Sequence, residues 1–88
     1  MRRLMIRAVQ IRAARALRGL SQGELAGLSK VGVATIKRIE AMDGDLRANV
    51  QTVMSIQRAL ENAGVVFIPP DGLNGPGVRL RDPEPSST

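Results

Sequence analysis

The side chains able to do chemistry in this 88-residue chain are mostly cations, with 13 lysines and arginines against 8 aspartates and glutamates. The chain has no cysteine, histidine, tryptophan or tyrosine, and Phe67 is its one aromatic residue. The lack of cysteine and histidine excludes a zinc finger, a disulfide and an imidazole general base. The lack of tryptophan and tyrosine also leaves no aromatic platform on which single-stranded nucleic acid could stack. The carboxylates lack the spacing of a calcium loop. We therefore expect no enzyme activity, no cofactor and no bound metal.

The positive charge lies in the front two-thirds of the chain. Residues 1–60 hold 11 basic and 4 acidic groups, a net charge of +7, whereas residues 61–88 hold 2 basic and 4 acidic groups. A positive field confined to one part of a small protein predicts a polyanionic partner for that part. The alternative is that arginine-rich helices serve solubility alone.

Nothing in the sequence predicts a membrane segment. The longest apolar runs are only a few residues long, too short to span a bilayer. The basic start, residues 1–6, resembles the beginning of a signal peptide, but arginines then interrupt any apolar stretch. These are Arg7, Arg12, Arg15 and Arg18. Since the chain also lacks cysteine, we expect a cytoplasmic protein with no membrane partner.

Apolar spacing and turn residues divide the front of the chain into short helices. We expect the first helix to run from about Arg7 to Arg18 and to end at Gly19. Its apolar residues recur at three-residue steps, which predicts that they share one face: Ala8, Ile11, Ala14 and Leu17.

Two further helices follow closely. Ser21 and Glu24 have the spacing of a capping box and open a helix over residues 22–28. A break at residues 29–32 separates it from a third helix over residues 33–42, whose inward-facing residues are Ile36 and Ile39. A turn at 43–45 then leads to a fourth helix.

Asn49 is placed to cap that fourth helix. The helix has one apolar stripe, formed by Val50, Val53, Ile56, Leu60 and Ala63.

The tail changes period and predicts a β-hairpin over residues 65–81. Its apolar face is expected to contain Val66, Ile68, Val78 and Leu80. A lone hairpin is barely stable, so this face either covers helix one or four of its own domain or pairs with a second chain. Because a core of this size is marginal, we expect a homodimer. Residues 82–88 are expected to be disordered.

The second and third helices, four residues apart, have the proportions of a helix-turn-helix. Small Ala26 allows the helices to cross, and apolar Val31 and Ile36 fill the wedge between them; a generic amphipathic helix pair would offer some of the same features. Residues 11–22, 24–26 and 35–40 resemble the Xre/Cro family of phage-repressor-like helix-turn-helix regulators. The hairpin is similar to an extension of small bacterial members.

The resemblance implies a mainly α fold of four to five helices: a repressor-like DNA-binding domain over residues 1–64, a C-terminal β-hairpin over 65–81 and the tail over 82–88. It implies a buried salt bridge between Arg15 and Glu40 and sequence-specific binding of double-stranded DNA in transcriptional regulation.

The resemblance also implies roles for side chains on the DNA side. Gln22 would hold a phosphate at the start of the second helix. Lys30 and Arg47 are further candidates for phosphate contacts. Recognition helix 33–42 would enter the major groove with Val33, Ala34, Lys37 and Arg38.

Two positions depart from the family pattern. Lys30 occupies a turn position that usually holds glycine at positive φ, and Gly32 replaces the usual Ser or Thr cap of the recognition helix. A homodimer would read two half-sites about 34 Å apart. The alternative function is an antitoxin or adaptor that binds a protein partner, such as a toxin, and autoregulates its own operon.

Overall fold

The protein folds as four helices followed by a two-stranded antiparallel hairpin, in a computed structural model that describes residues 6–83. The elements are α1 (Ala8–Arg18), α2 (Gln22–Ser29), α3 (Val33–Glu40), α4 (Val50–Asn62), β1 (Val65–Ile68) and β2 (Gly77–Leu80). The expected mainly helical fold with a C-terminal hairpin is confirmed. The expected disorder of the tail concerns mostly residues 84–88, and the signal-like start mostly residues 1–5; both segments lie outside the described residues. No helix within 6–83 combines the length and the apolarity needed to cross a membrane.

Helix α1 begins and ends where local chemistry favours it. The N–H of Arg7 donates to Gln10 Oε1 at 2.7 Å, and Gly19 ends the helix in the left-handed region at φ 66°. The expected position of Leu17 on the buried face is wrong, since Leu17 is 43% exposed. Three residues turn an α-helix by about 300°, so a strict three-residue repeat drifts about 60° at each step. Leu17 is therefore carried round to the side opposite Ala8.

Helices α2 and α4 have side-chain caps at their first turns. Glu24 N donates to Ser21 Oγ and Ser21 N donates to Glu24 Oε1, which confirms the capping box. The Oδ1 atom of Asn49 accepts from the N–H groups of Gln51 and Thr52. These caps satisfy amide groups that would otherwise lack partners within the helix.

Two of the expected helices differ in extent or in orientation. Helix α3 ends at Glu40 rather than at residue 42. Val50 does not belong to the buried stripe of α4, because it is 57% exposed and stands about 110° from the centre of that stripe. The buried residues of α4 are Val53, Ile56, Ala59 and Leu60.

The core draws on all four helices and on β1. Its largest fully buried side chains are Ile11, Leu25, Ile36, Ile39, Ile56, Leu60 and Val65. The helix-turn-helix is thus one wall of a single apolar cluster rather than a separate unit.

The hairpin packs within its own chain, with β2 against α1 and β1 against both α1 and α4. Its register contradicts the expected single apolar face. The directly opposed pairs are Val65 with Leu80, Val66 with Arg79, Phe67 with Val78, and Ile68 with Gly77. Because opposed residues share a face, Val66 and Ile68 lie on the side away from Val78 and Leu80. Val65 is buried, and Phe67 and Val78 pack against the core on the inner face.

A glutamine fastens the hairpin to α1. Gln10 is buried, and its Nε2 donates to Gly77 O at 3.0 Å and to Ile68 O at 3.3 Å. Its Oε1 accepts from Arg7, so the amide joins the start of α1 to both strands.

Candidate nucleic-acid interface

Lys30 shapes the turn between α2 and α3. It closes α2 in the left-handed conformation, with φ 61° and ψ 33°, and is the one residue other than glycine within 6–83 that has a positive φ. The N–H of Val31 then donates to Ala26 O at 3.2 Å. The turn therefore keeps the geometry that favours glycine, and the lysine accepts the strain.

Gly32 precedes α3 without supplying a side-chain cap. It has an ordinary extended conformation, and a Cβ atom placed on it would contact nothing within 4 Å. Neither backbone conformation nor packing within the described chain requires glycine at this position.

A fork-shaped salt bridge joins α1 to the end of α3. Arg15 Nε lies 2.8 Å from Glu40 Oε2, and Arg15 Nη2 lies 2.8 Å from Glu40 Oε1. The side chain of Glu40 is 4% exposed and that of Arg15 is 21% exposed. Such bidentate pairs restrict orientation as well as adding attraction, so this one holds α3 against α1.

Further donors complete the surroundings of Glu40. Gln22 Nε2 donates to Glu40 Oε1 at 3.0 Å, and Arg12 Nη1 donates to the main-chain oxygen of Glu40. Arg15 Nη1 also donates to Leu20 O at 3.0 Å. The network therefore ties α1, the α1–α2 loop and the start of α2 to the last residue of α3.

The network changes the pKa values of both ionised partners. Burial acts to raise the pKa of Glu40, but the hydrogen bonds from Arg15 and Gln22 outweigh it and the pKa is lowered. The hydrogen bond to Glu40 raises the pKa of Arg15. Both groups are therefore charged at neutral pH, and α3 is held by an ion pair.

Sequence reasoning missed two residues of this arrangement. Arg12, one turn before Arg15, reaches the end of α3, and Gln10 reaches the hairpin. Their positions on α1 were visible in the sequence, but their partners are 28 and 67 residues away. Only the packing of the helices and the hairpin reveals those partners.

All four residues of α3 that were expected in the major groove are exposed, namely Val33, Ala34, Lys37 and Arg38. Neither Lys37 nor Arg38 makes a hydrogen bond or ion pair with another residue of the range 6–83. Lys30 is exposed immediately before this helix, and Arg47 is exposed in the segment that follows it.

Gln22 differs from the other candidates because it is half-buried and already bonded to Glu40. A side-chain amide group carries two N–H donors, so one remains for an external acceptor. Gln22 is the first residue of α2, and its neighbours Ser21 and Gly23 are exposed. Gln22 thus donates to Glu40 at the end of α3 and keeps one donor for the phosphate contact expected at the start of α2.

The described residues include no group of three or more acidic side chains placed to hold a metal ion. Comparison with protein-family models finds a match to a helix-turn-helix family over residues 11–62. That range contains α2, α3, α4 and most of α1, whereas the hairpin lies beyond it. A comparison with curated proteins finds no match to the chain.

Proposed function

Because the chain belongs to the Xre/Cro-like helix-turn-helix family, we propose that it regulates transcription by binding specific sites on double-stranded DNA. The observation that carries the proposal is the exposed side of α3, where two cations stand next to small or apolar residues. Helix α3 enters the major groove, Lys37 and Arg38 donate hydrogen bonds to guanine or to phosphates, and Val33 and Ala34 pack on thymine methyl groups.

Contacts to the DNA backbone fix the register of α3. We assign them to Gln22 at the start of α2 and to Lys30 and Arg47 on either side of α3. The hydrogen bonds to Glu40 hold the start of α2 and the end of α3 at a fixed relative orientation. Contacts between α2 and the DNA backbone therefore also position α3.

We further propose that the protein acts as a homodimer on two half-sites about 34 Å apart. The outer face of the hairpin supports this arrangement, because Val66 and Ile68 lie there and remain only partly covered by their own chain. A second copy that packs on this face would bury them.

The salt dependence of DNA binding tests the function. Counting Lys30 and Arg47 alone, a dimer makes about four cationic phosphate contacts, and these by themselves give a slope of about −3.6 in log K against log salt concentration. Affinity then falls roughly 10²-fold between 50 and 200 mM salt. Fluorescence anisotropy with a duplex selected from a random library would measure it.

The variant Arg47→Ala should reduce that slope by about 2 for the dimer, one unit for each subunit. Arg18→Ala is the matched control, since Arg18 lies beside Asn62 and Ala63 at the C-terminal end of α4, whereas Arg47 precedes the first residue of that helix. This control should leave the slope unchanged. A wild-type slope near zero, or selection that enriches no duplex, would contradict the proposed function.

A further inference from the structure

The rotation of α3 about its own axis is fixed by what it buries. Ile36 and Ile39 are fully buried, and Glu40 is held by Arg12, Arg15 and Gln22. Ile36, Ile39 and Glu40 therefore define the side of α3 that faces the rest of the protein. Because both an apolar contact and an ion pair fix that orientation, α3 cannot roll on the domain without breaking one of them.

The side of α3 that points outward follows from helix geometry. Successive residues are separated by about 100°, which places Ala34, Arg38 and Ala41 roughly 150–170° from the centre of the buried stripe. Lys37 stands only about 110° from it, on the flank. Ala41 continues the helical conformation, with φ −87° and ψ −4°, so it extends the same line.

The chemistry of this outermost line is simple. Arg38 is the one residue on it with polar side-chain atoms, and an alanine lies one turn away on each side. Alanine side chains let the helix approach the floor of the groove closely and cannot form hydrogen bonds. A guanidinium in such a position matches the O6 and N7 acceptors of guanine, which it can contact with two hydrogen bonds.

We infer that Arg38 reads one guanine in each half-site, and that this base pair carries most of the specificity that comes from hydrogen bonds. Lys37, on the flank of the helix, contacts a phosphate and contributes affinity without base preference. This inference rests on the proposed function, and it names the base and the reading residue within that same surface.

The test exchanges the chemistry of the reading residue. A glutamine amide pairs with adenine N6 and N7 as arginine pairs with guanine, so Arg38→Gln should shift the preference at one position from G·C to A·T. Binding to the original site should weaken about 10- to 100-fold for each half-site. Lys37→Gln is the matched control, the same change one residue away. It should weaken all duplexes by a similar factor and reduce the salt slope by about 1 per subunit.

The measurement is the affinity of each variant for a panel of duplexes in which every position of the selected half-site is changed in turn. Circular dichroism melts check that both variants fold; both side chains are exposed, so the melting curves should match the wild type. If Lys37→Gln shifts the base preference and Arg38→Gln does not, the inference is wrong although the protein binds DNA. If the wild type discriminates among no duplexes, the proposed function itself fails.

Discussion

The carboxylate of Glu40 is the side chain on which the orientation of α3 depends most directly. This carboxylate is buried and accepts hydrogen bonds from both Arg15 and Gln22. The main-chain oxygen of Glu40 accepts a further hydrogen bond from Arg12. Removing one partner of such a pair costs more than removing a surface pair, because the remaining charge stays poorly solvated.

Glu40→Gln should lower the free energy of unfolding at pH 7 by about 2–4 kcal/mol, since Arg15 then lacks its counter-ion. The pKa of Glu40 is lowered in the folded protein, so its stabilisation is complete above the ordinary glutamate pKa and is lost as pH falls below that value. The difference between wild type and variant should therefore shrink below about pH 4. Urea unfolding at a series of pH values measures it.

A second carboxylate, that of Asp71, also has a lowered pKa. The N–H groups of Leu73 and Asn74 donate to Asp71 and lower its pKa. Both proteins in the comparison should therefore also carry Asp71→Asn, which removes this contribution equally from each. A pH-independent difference would show that the charge of Glu40 does not support α3.

Single residues were predicted unevenly from the sequence. The pairing of Arg15 with Glu40 was implied by the family resemblance. The bond from Gln22 to Glu40 was not, because Gln22 was assigned to an external phosphate. An amide finds its partner only when helices cross at a particular angle and distance, and no sequence pattern encodes that geometry.

At the scale of the elements, the turn between α2 and α3 contains measurable strain. Lys30 has a left-handed conformation that costs a residue with a Cβ atom about 1–2 kcal/mol. Lys30→Gly removes that cost, but the greater backbone entropy of glycine stabilises the unfolded state by about 0.5–1 kcal/mol. We expect a net rise of about 0.75 kcal/mol in the free energy of unfolding, taken from the midpoints of these two ranges, and at most about 1.5 kcal/mol.

Lys30→Ala is the control, because it removes the same charge and keeps the Cβ atom. The two variants should lose DNA affinity to the same extent while only the glycine variant gains stability in urea. Equal stability of the two variants would show that the turn stores no strain at this position.

The ends of the elements were easier to predict than their faces. Ser21, Asn49 and Gly19 mark helix ends through local hydrogen bonds and backbone conformation, and the structure has them in those roles. The predicted buried faces of α1 and of the hairpin were wrong. On α1, a three-residue spacing drifts steadily round the helix. In the hairpin, the residues that share a face depend on which residues of the two strands are directly opposed. In a strand, a register slip of one residue reverses every side chain.

At the scale of the whole molecule, the hairpin has two different faces. Its inner face contributes Val65, Phe67 and Val78 to the core. Its outer face contains Val66 and Ile68, which the proposed homodimer would cover.

Light scattering coupled to size exclusion should report twice the chain mass of 9.4 kDa. Val66→Lys should give a monomer with an unchanged circular dichroism spectrum, because a second copy would then bury an unpaired ammonium group next to Arg79 on the same face. Leu73→Lys is the control, placed on an exposed loop residue, and should leave the dimer intact. A wild-type monomer that binds a single half-site would overturn the dimer, and a dimeric Val66→Lys protein would exclude this face.

The bond from Gln10 to Gly77 also bears on how the protein is made. It joins residues 67 positions apart, and Val65 fills the core between helices that are synthesised much earlier. Helices can form locally as the chain emerges from the ribosome, but contacts of such long range must wait for the later segment. The proposed DNA-binding surface is translated first, yet the apolar cluster that orients α3 closes only after the last strand has been synthesised.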